Sequence, residues 1–148
     1  NADSVLASFN RQIGENVDKN MSYAGFVFED VEKFLVAVGQ TPPEYPTLAE
    51  TSNSDLYKKL IKEEIEEFWE AEAVGDDAEM LDACFDMIWV IVGYARSRGW
   101  NMNKAWVEGA ATNLSKIDPE TGLVRRREDG KILKPEGWKE PDFKQFVA

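Results

Sequence analysis

The stretch "KKLIKEEIEEFWEAE", Lys58 to Glu72, sets six glutamates into the ten positions from Glu63 to Glu72 of a pattern whose apolar spacing is helical. Its reading decides the fold, because acids confined to the solvent side make an ordinary surface helix, whereas acids on the apolar side must be buried for a reason. On a wheel turning ~100° per residue with Leu56 at zero, Leu60, Ala71, Tyr57 and Phe68 fall at roughly 40°, 60°, 100° and 120°, which defines the apolar face. Glu63, Glu64 and Glu67 lie at roughly −20°, 80° and 20° on the same wheel, on that face. Lys58, Lys59, Lys62, Glu66 and Glu70 gather at roughly 200° to 320°, where solvated charge belongs. The acids therefore form two populations.

The next segment, "MLDACFDMIWVIVGYA" (Met80 to Ala95), is apolar nearly all round, and such a helix is expected to be buried. Its exceptions are informative: Glu79, Asp82 and Asp86 share one stripe with Val90 and Gly93. No lysine or arginine follows in this helix before Arg96. An ionised carboxylate there costs several kcal/mol unless it is paired or bound to a cation. Packing the two helices through these faces brings up to six carboxylates together, each raising the pKa of the others. A divalent ion removes that conflict. With no histidine in the sequence, His-based zinc sites and Ser-His or Cys-His nucleophiles are excluded, and the hard, oxygen-preferring ions Mg²⁺, Mn²⁺ and Ca²⁺ are the candidates.

Outward from these helices, "DSVLASFNRQI" (Asp3 to Ile13) reads as a short helix in an extension over residues 1–20. "FVFEDVEKFLVAVG" places Phe28, Val31, Phe34, Leu35 and Val38 at helical spacing and stops at Gly39. "QTPPEYPTLAETSNS" cannot continue a helix and reads as a long connection. Asp55 is the expected cap of a helix running to about Ala73. "GDD" at Gly75 to Asp77 breaks it and caps another, from Ala78 to about Arg98, with Gly99 as terminator. Asn101 or Asn103 caps a last helix ending near Asp118 and Pro119. From there to Phe143 the chain is basic and turn-rich, an irregular tail expected to pack through Leu123, Ile132, Leu133 and Trp138. No alternating strand series and no fixed-period repeat appears. The expected fold is all-α, an antiparallel four-helix bundle making one domain over residues 21–148.

The formal charge of −11 opposes binding to a nucleic-acid polymer, so a phosphorylated ligand needs local cations. The single cysteine, Cys84, precludes an intrachain disulfide, and no apolar run reaches the length of a membrane span; a cytoplasmic protein fits. Lys116 follows Asn113 by three residues and can meet phosphate as a point charge, with Asn113 donating to phosphate or sugar. Arg126, Arg127, Lys131 and Lys134 concentrate positive charge in an acidic chain, as clamping a polyphosphate requires. Phe34, Trp89 and Trp106 are read as core aromatics rather than base-stacking residues.

"EEIEE" (Glu63 to Glu67), followed by "EMLDACFDMIWVIVGYA" and "NLSK", resembles the all-α nucleoside triphosphate pyrophosphohydrolases, the MazG-like superfamily, and within it the phosphoribosyl-ATP pyrophosphohydrolase-like subgroup. The family signature is E-E-x-x-E on one helix and E-x-x-D on the next. Glu63, Glu64 and Glu67 complete the first half. Glu79 and Asp82 satisfy the second literally, whereas aligning back from "NLSK" puts Asp86 at the family's aspartate and Ala83 at its glutamate. "DACFD" (Asp82 to Asp86) looks like a branch reading D-A-x-x-D. Both aspartates are carried as ligands, with Glu79 as an outer one. The resemblance spans about Phe28 to Phe143.

It implies Mg²⁺-dependent (Mn²⁺ as substitute) cleavage of a (d)NTP between its α- and β-phosphates, giving a monophosphate and pyrophosphate. Glu64, Glu67, Asp82 and Asp86 are then the principal metal ligands. Glu63 and Glu64 are the expected catalytic carboxylates, Glu63 bridging to another ion or serving as base on the attacking water. A homodimer or homotetramer is expected, because so many apolar positions on one small protomer leave a face for a partner copy. The alternatives are phosphoribosyl-ATP hydrolysis in histidine biosynthesis and a non-enzymatic metal-binding helical interaction module.

Overall fold

A computed structural model describes residues 23–47 and 49–147, so the helix expected over Asp3 to Ile13 lies outside the described residues. Among these the fold is all-helical: α1 spans Tyr23–Val38, α2 Ser52–Val74, α3 Asp77–Ser97 and α4 Met102–Leu114. A 3₁₀ turn over Lys144–Phe146 follows, and the only extended pairings described are isolated bridges of Ile117 with Val124 and Arg126 with Ile132.

Local chemistry sets the helix ends. Gly39, Gly75 and Gly99 all stand at positive φ (86°, 70° and 72°), the left-handed conformation that lets a chain leave a helix without a Cβ penalty. Asp76 then caps α3 by accepting from the Glu79 N–H, and Asn101 caps α4 by accepting from the Lys104 N–H. The cap of α2 is not Asp55 but Thr51, four residues earlier. Thr51 Oγ1 accepts from the Ser54 N–H at 3.1 Å while Ser54 Oγ accepts from the Thr51 N–H at 2.6 Å, a reciprocal box that an aspartate one turn later cannot outcompete. Helix α4 closes at Leu114 rather than near Asp118, where the Ser115 hydroxyl turns back to donate to the Thr112 carbonyl.

The interface between α2 and α3 is the most extensive of the fold. On α2 the less exposed positions include Ser54, Tyr57, Ile61, Glu64, Phe68 and Ala71; on α3 they include Ala83, Asp86, Val90, Gly93 and Ser97. Both sets alternate steps of three and four, the 3.5-residue repeat of helices that interlock along a seam. Tyr57 and Gly93 make one such contact: a Cβ added to Gly93 would stand 2.7 Å from Tyr57 Cε1. Helix α1 closes the core with Phe28, Val31 and Leu35 against Tyr57, Val90 and Val92, and Phe28 meets Trp106 of α4 edge to face.

Several apolar positions are more exposed than their periodicity predicts. Phe34 and Val38 of α1 are on the surface, and so is Leu56, which the spacing places on the apolar face of α2. Helix α3 is not buried all round: Leu81, Phe85, Ile88 and Ile91 form an exposed side. In the tail, Leu123, Ile132 and Leu133 are exposed, leaving Trp138, whose indole N–H donates to the Thr112 carbonyl at 3.2 Å, as the packed residue of the four. These faces are apolar without being covered in the single chain, so spacing alone cannot tell them from core.

The proline-rich connection is pinned at both ends. Tyr57 donates to Gln40 Oε1 at 2.6 Å, and the buried Arg98 donates to the Thr47 carbonyl and to Glu50 Oε1. Ser54, Tyr94, Lys58 and Arg98 all converge on Glu50, and the Ser54 hydrogen bond foremost holds its carboxyl below the usual range. Because Arg98 uses a planar fork to reach two partners, Arg98→Lys is expected to fare little better than Arg98→Ala. Each should lower the unfolding midpoint by about 5 °C in a thermal melt. A lysine variant that melts with the wild type would show that charge alone suffices.

Candidate metal centre

The seam carries two residues that a helical core would normally refuse. Glu64 occupies a contact position of α2 and Asp86 occupies one of α3, and Glu67 sits one turn further along α2. One carboxylate oxygen from each of the three lies within 4.8 Å of the others. Glu64 Oε2 is buried and has no hydrogen-bond partner. None of the ion pairs among the described residues involves these acids.

The electrostatic result follows directly. Burial above all pushes the Glu64 carboxyl up to about 7, aided by the closeness of the Glu67 carboxyl and by the negative charges of Asp86, Glu67 and Asp82. Burial likewise raises Asp86, with Asp82 and Glu67 adding repulsion. An orphaned buried carboxylate oxygen, two further carboxylates beside it and no basic partner are a donor set suited to a hard divalent cation. The residues present fit the ion.

The remaining candidates distribute as follows. Asp82 is exposed but near enough for its charge to act on both Glu64 and Asp86. Glu63 and Glu79 are exposed and stand outside the three-carboxylate group; the Glu79 N–H is engaged by the Asp76 cap. Asn113 lies in the last turn of α4 and lines an apolar cavity of about 760 Å³ with Trp100, Trp106 and Phe143. Lys116 lies beyond the helix, yet its Nζ still donates to Asn113 Oδ1 at 3.2 Å. Arg127 pairs with Asp129, and Arg126 and Lys131 are exposed in the tail. Lys134 sits over the Trp138 ring. A residue the sequence reading valued only for packing, Trp138, thus touches two of the expected substrate cations; "KPEGW", with lysine and tryptophan bracketing a Pro-x-Gly turn, was the available signal.

The sequence model of one known family, described as phosphoribosyl-ATP pyrophosphohydrolase, matches residues 28–111. The matched stretch is more than half of the chain and contains all six candidate metal-binding acids. It stops short of Asn113 and the tail. No curated protein matches the sequence.

Proposed function

The chain belongs to the phosphoribosyl-ATP pyrophosphohydrolase family, within the MazG-like all-α superfamily, and on that premise we propose that it is a Mg²⁺-dependent nucleoside triphosphate pyrophosphohydrolase converting a (d)NTP to the (d)NMP and pyrophosphate. The observation that carries the proposal is the convergence of Glu64, Glu67 and Asp86 around a buried oxygen without a partner. In the reaction, water attacks the α-phosphorus, the bond to the bridging oxygen of the β-phosphate breaks, and pyrophosphate leaves with that oxygen. A bound Mg²⁺ supplies neutralisation of the phosphate charge and a lowered pKa for water. Glu64, Glu67, Asp82 and Asp86 would hold the ions, Glu79 would support them from outside, and Glu63 would take the proton of the attacking water or serve a further ion. Asn113, Lys116, Arg126, Arg127, Lys131 and Lys134 supply the groups that receive substrate.

The proposed assembly is an antiparallel four-helix bundle over residues 21–148, carrying an extension over residues 1–20 and the basic tail, and joined in a homodimer or homotetramer. The exposed side of α3, with Leu81, Phe85 and Ile88 next to Phe34 and Trp89, supports a partner copy. A cytoplasmic location is proposed from the single cysteine; no helix among the described residues is long and apolar enough to cross a membrane.

Phosphoribosyl-ATP is a second reading of the substrate, favoured by the description of the matching family. Both are tested by one measurement, pyrophosphate release from a panel of standard and modified (d)NTPs and phosphoribosyl-ATP, with and without Mg²⁺. Release from a (d)NTP only when Mg²⁺ is present is the expected result. Release from phosphoribosyl-ATP alone would favour the second reading, and silence across the panel would sink both.

A further inference from the structure

The turn "KPEGW" closes with the Trp138 N–H donating to the Pro135 carbonyl at 3.1 Å and Gly137 at a φ of 77°, the second central position of a turn that requires a left-handed residue. This reversal brings the indole back over its own neighbour, so that Lys134 Nζ lies 4.3 Å from the ring centroid. The indole N–H is meanwhile tied to the Thr112 carbonyl of α4, which brings the ring to Lys116, whose Nζ lies 5.2 Å from the same centroid. Two ammonium groups from separate segments therefore share one aromatic ring. Among the described residues neither meets a carboxylate within ion-pair distance, although the chain carries 28 acidic residues against 17 basic ones. The negative face of an indole attracts each ammonium without neutralising it, and Asp118, Glu120 and Glu136, which line the cleft beside Lys116, do not reach ion-pair distance of it. Both charges stay available to an anion.

We propose that Lys116 and Lys134, gathered on Trp138, form one binding site for a phosphate group of a polyphosphate, and that Trp138 is its positioning residue. The proposal rests on the pyrophosphohydrolase reading for its ligand class. Asn113 completes the site's polar edge, since its side-chain oxygen accepts from Lys116 and fixes the direction of that ammonium. The ring lowers the cost of ordering two long side chains, so affinity depends on its face as well as on the two charges.

The test is calorimetric titration of the full chain with inorganic tripolyphosphate in EDTA, which needs neither metal nor turnover. The wild type is expected to bind, with affinity falling as salt rises. Trp138→Phe, which keeps a ring face, should bind within about threefold of it, and Trp138→Leu about tenfold more weakly. Lys116→Gln and Lys134→Gln leave the ring in place, so they carry the test should Trp138→Leu lose its helical circular-dichroism signal; each should also weaken binding about tenfold. In turnover the same variants should raise KM for the nucleotide much more than they lower kcat. Equal binding by the wild type and the leucine variant, or no binding by the wild type, would overturn the site. A wild type that binds tripolyphosphate but releases no pyrophosphate from any nucleotide would overturn the functional reading while supporting the site.

Discussion

Glu64→Gln is expected to abolish pyrophosphate release while making the metal-free protein more stable. Loss of a ligand at the buried centre of the three carboxylates should reduce kcat/KM by about a thousandfold, about 4 kcal/mol of barrier. At pH 8 the native Glu64 is ionised beside Glu67 and Asp86, and a neutral amide in its place removes repulsion and donates to both neighbours. The metal-free melting point should rise by about 3 °C. The sign of the pH dependence follows from the raised pKa. Between the ordinary glutamate value and about 7 the folded chain holds a proton that the unfolded chain has released, so stability is lost as pH rises through that window. The metal-free wild type should therefore melt progressively lower from about pH 5 to about pH 8, and Glu64→Gln should flatten that slope. Mg²⁺ should restore the wild type at high pH and leave the variant unmoved. Retained turnover, or a sharp fall in metal-free stability, would assign Glu64 a structural role instead.

Gly93→Val should give the largest loss of stability, about 3 kcal/mol or roughly 10 °C in melting point. Even the first carbon of the new side chain would stand 2.7 Å from the Tyr57 ring. That ring cannot swing aside freely, because its hydroxyl is held by Gln40 and its body is packed against α1 and α3. Removing the ring separates space from backbone effects: Gly93→Val combined with Tyr57→Ala should be less destabilised than the two single losses predict together, the mark of two residues in contact. Additive losses in thermal or denaturant melts would mean that the helices part at Gly93 for another reason.

Much of this arrangement was legible in the sequence. Gly39, Gly75 and Gly99 mark three helix ends because nothing else tolerates their backbone angles cheaply, and Asp76 and Asn101 mark two starts. The acids of "EMLDACFD" were harder. Wheel arithmetic assigns Glu63, Glu64 and Glu67 equally to the apolar side because the apolar face it defines is broad, from Leu56 round to Phe68. The seam is centred near Tyr57, toward the Phe68 edge of that face, which leaves Glu64 in the contact, Glu67 on its flank and Glu63 beyond it. On α3, Glu79 has the right phase but stands in the first turn and is exposed, whereas Asp86 lies well inside the helix. Phase alone cannot give depth along an axis. Nor can it show which apolar sides the chain itself covers, which is why Leu81 and Phe85 look like core in the sequence and are exposed in the single chain.

The turn at Gly75 and Asp76 has a kinetic consequence. Both halves of the carboxylate group lie on helices joined directly through it, so their meeting belongs to the most sequence-local contacts of the fold, those that form early in chain collapse. The charges that repel one another are thus brought together before the rest of the chain can compensate them. At neutral pH that repulsion is expected in the folding barrier, so Mg²⁺ added to a refolding experiment should speed the folding of the chain rather than only slow its unfolding.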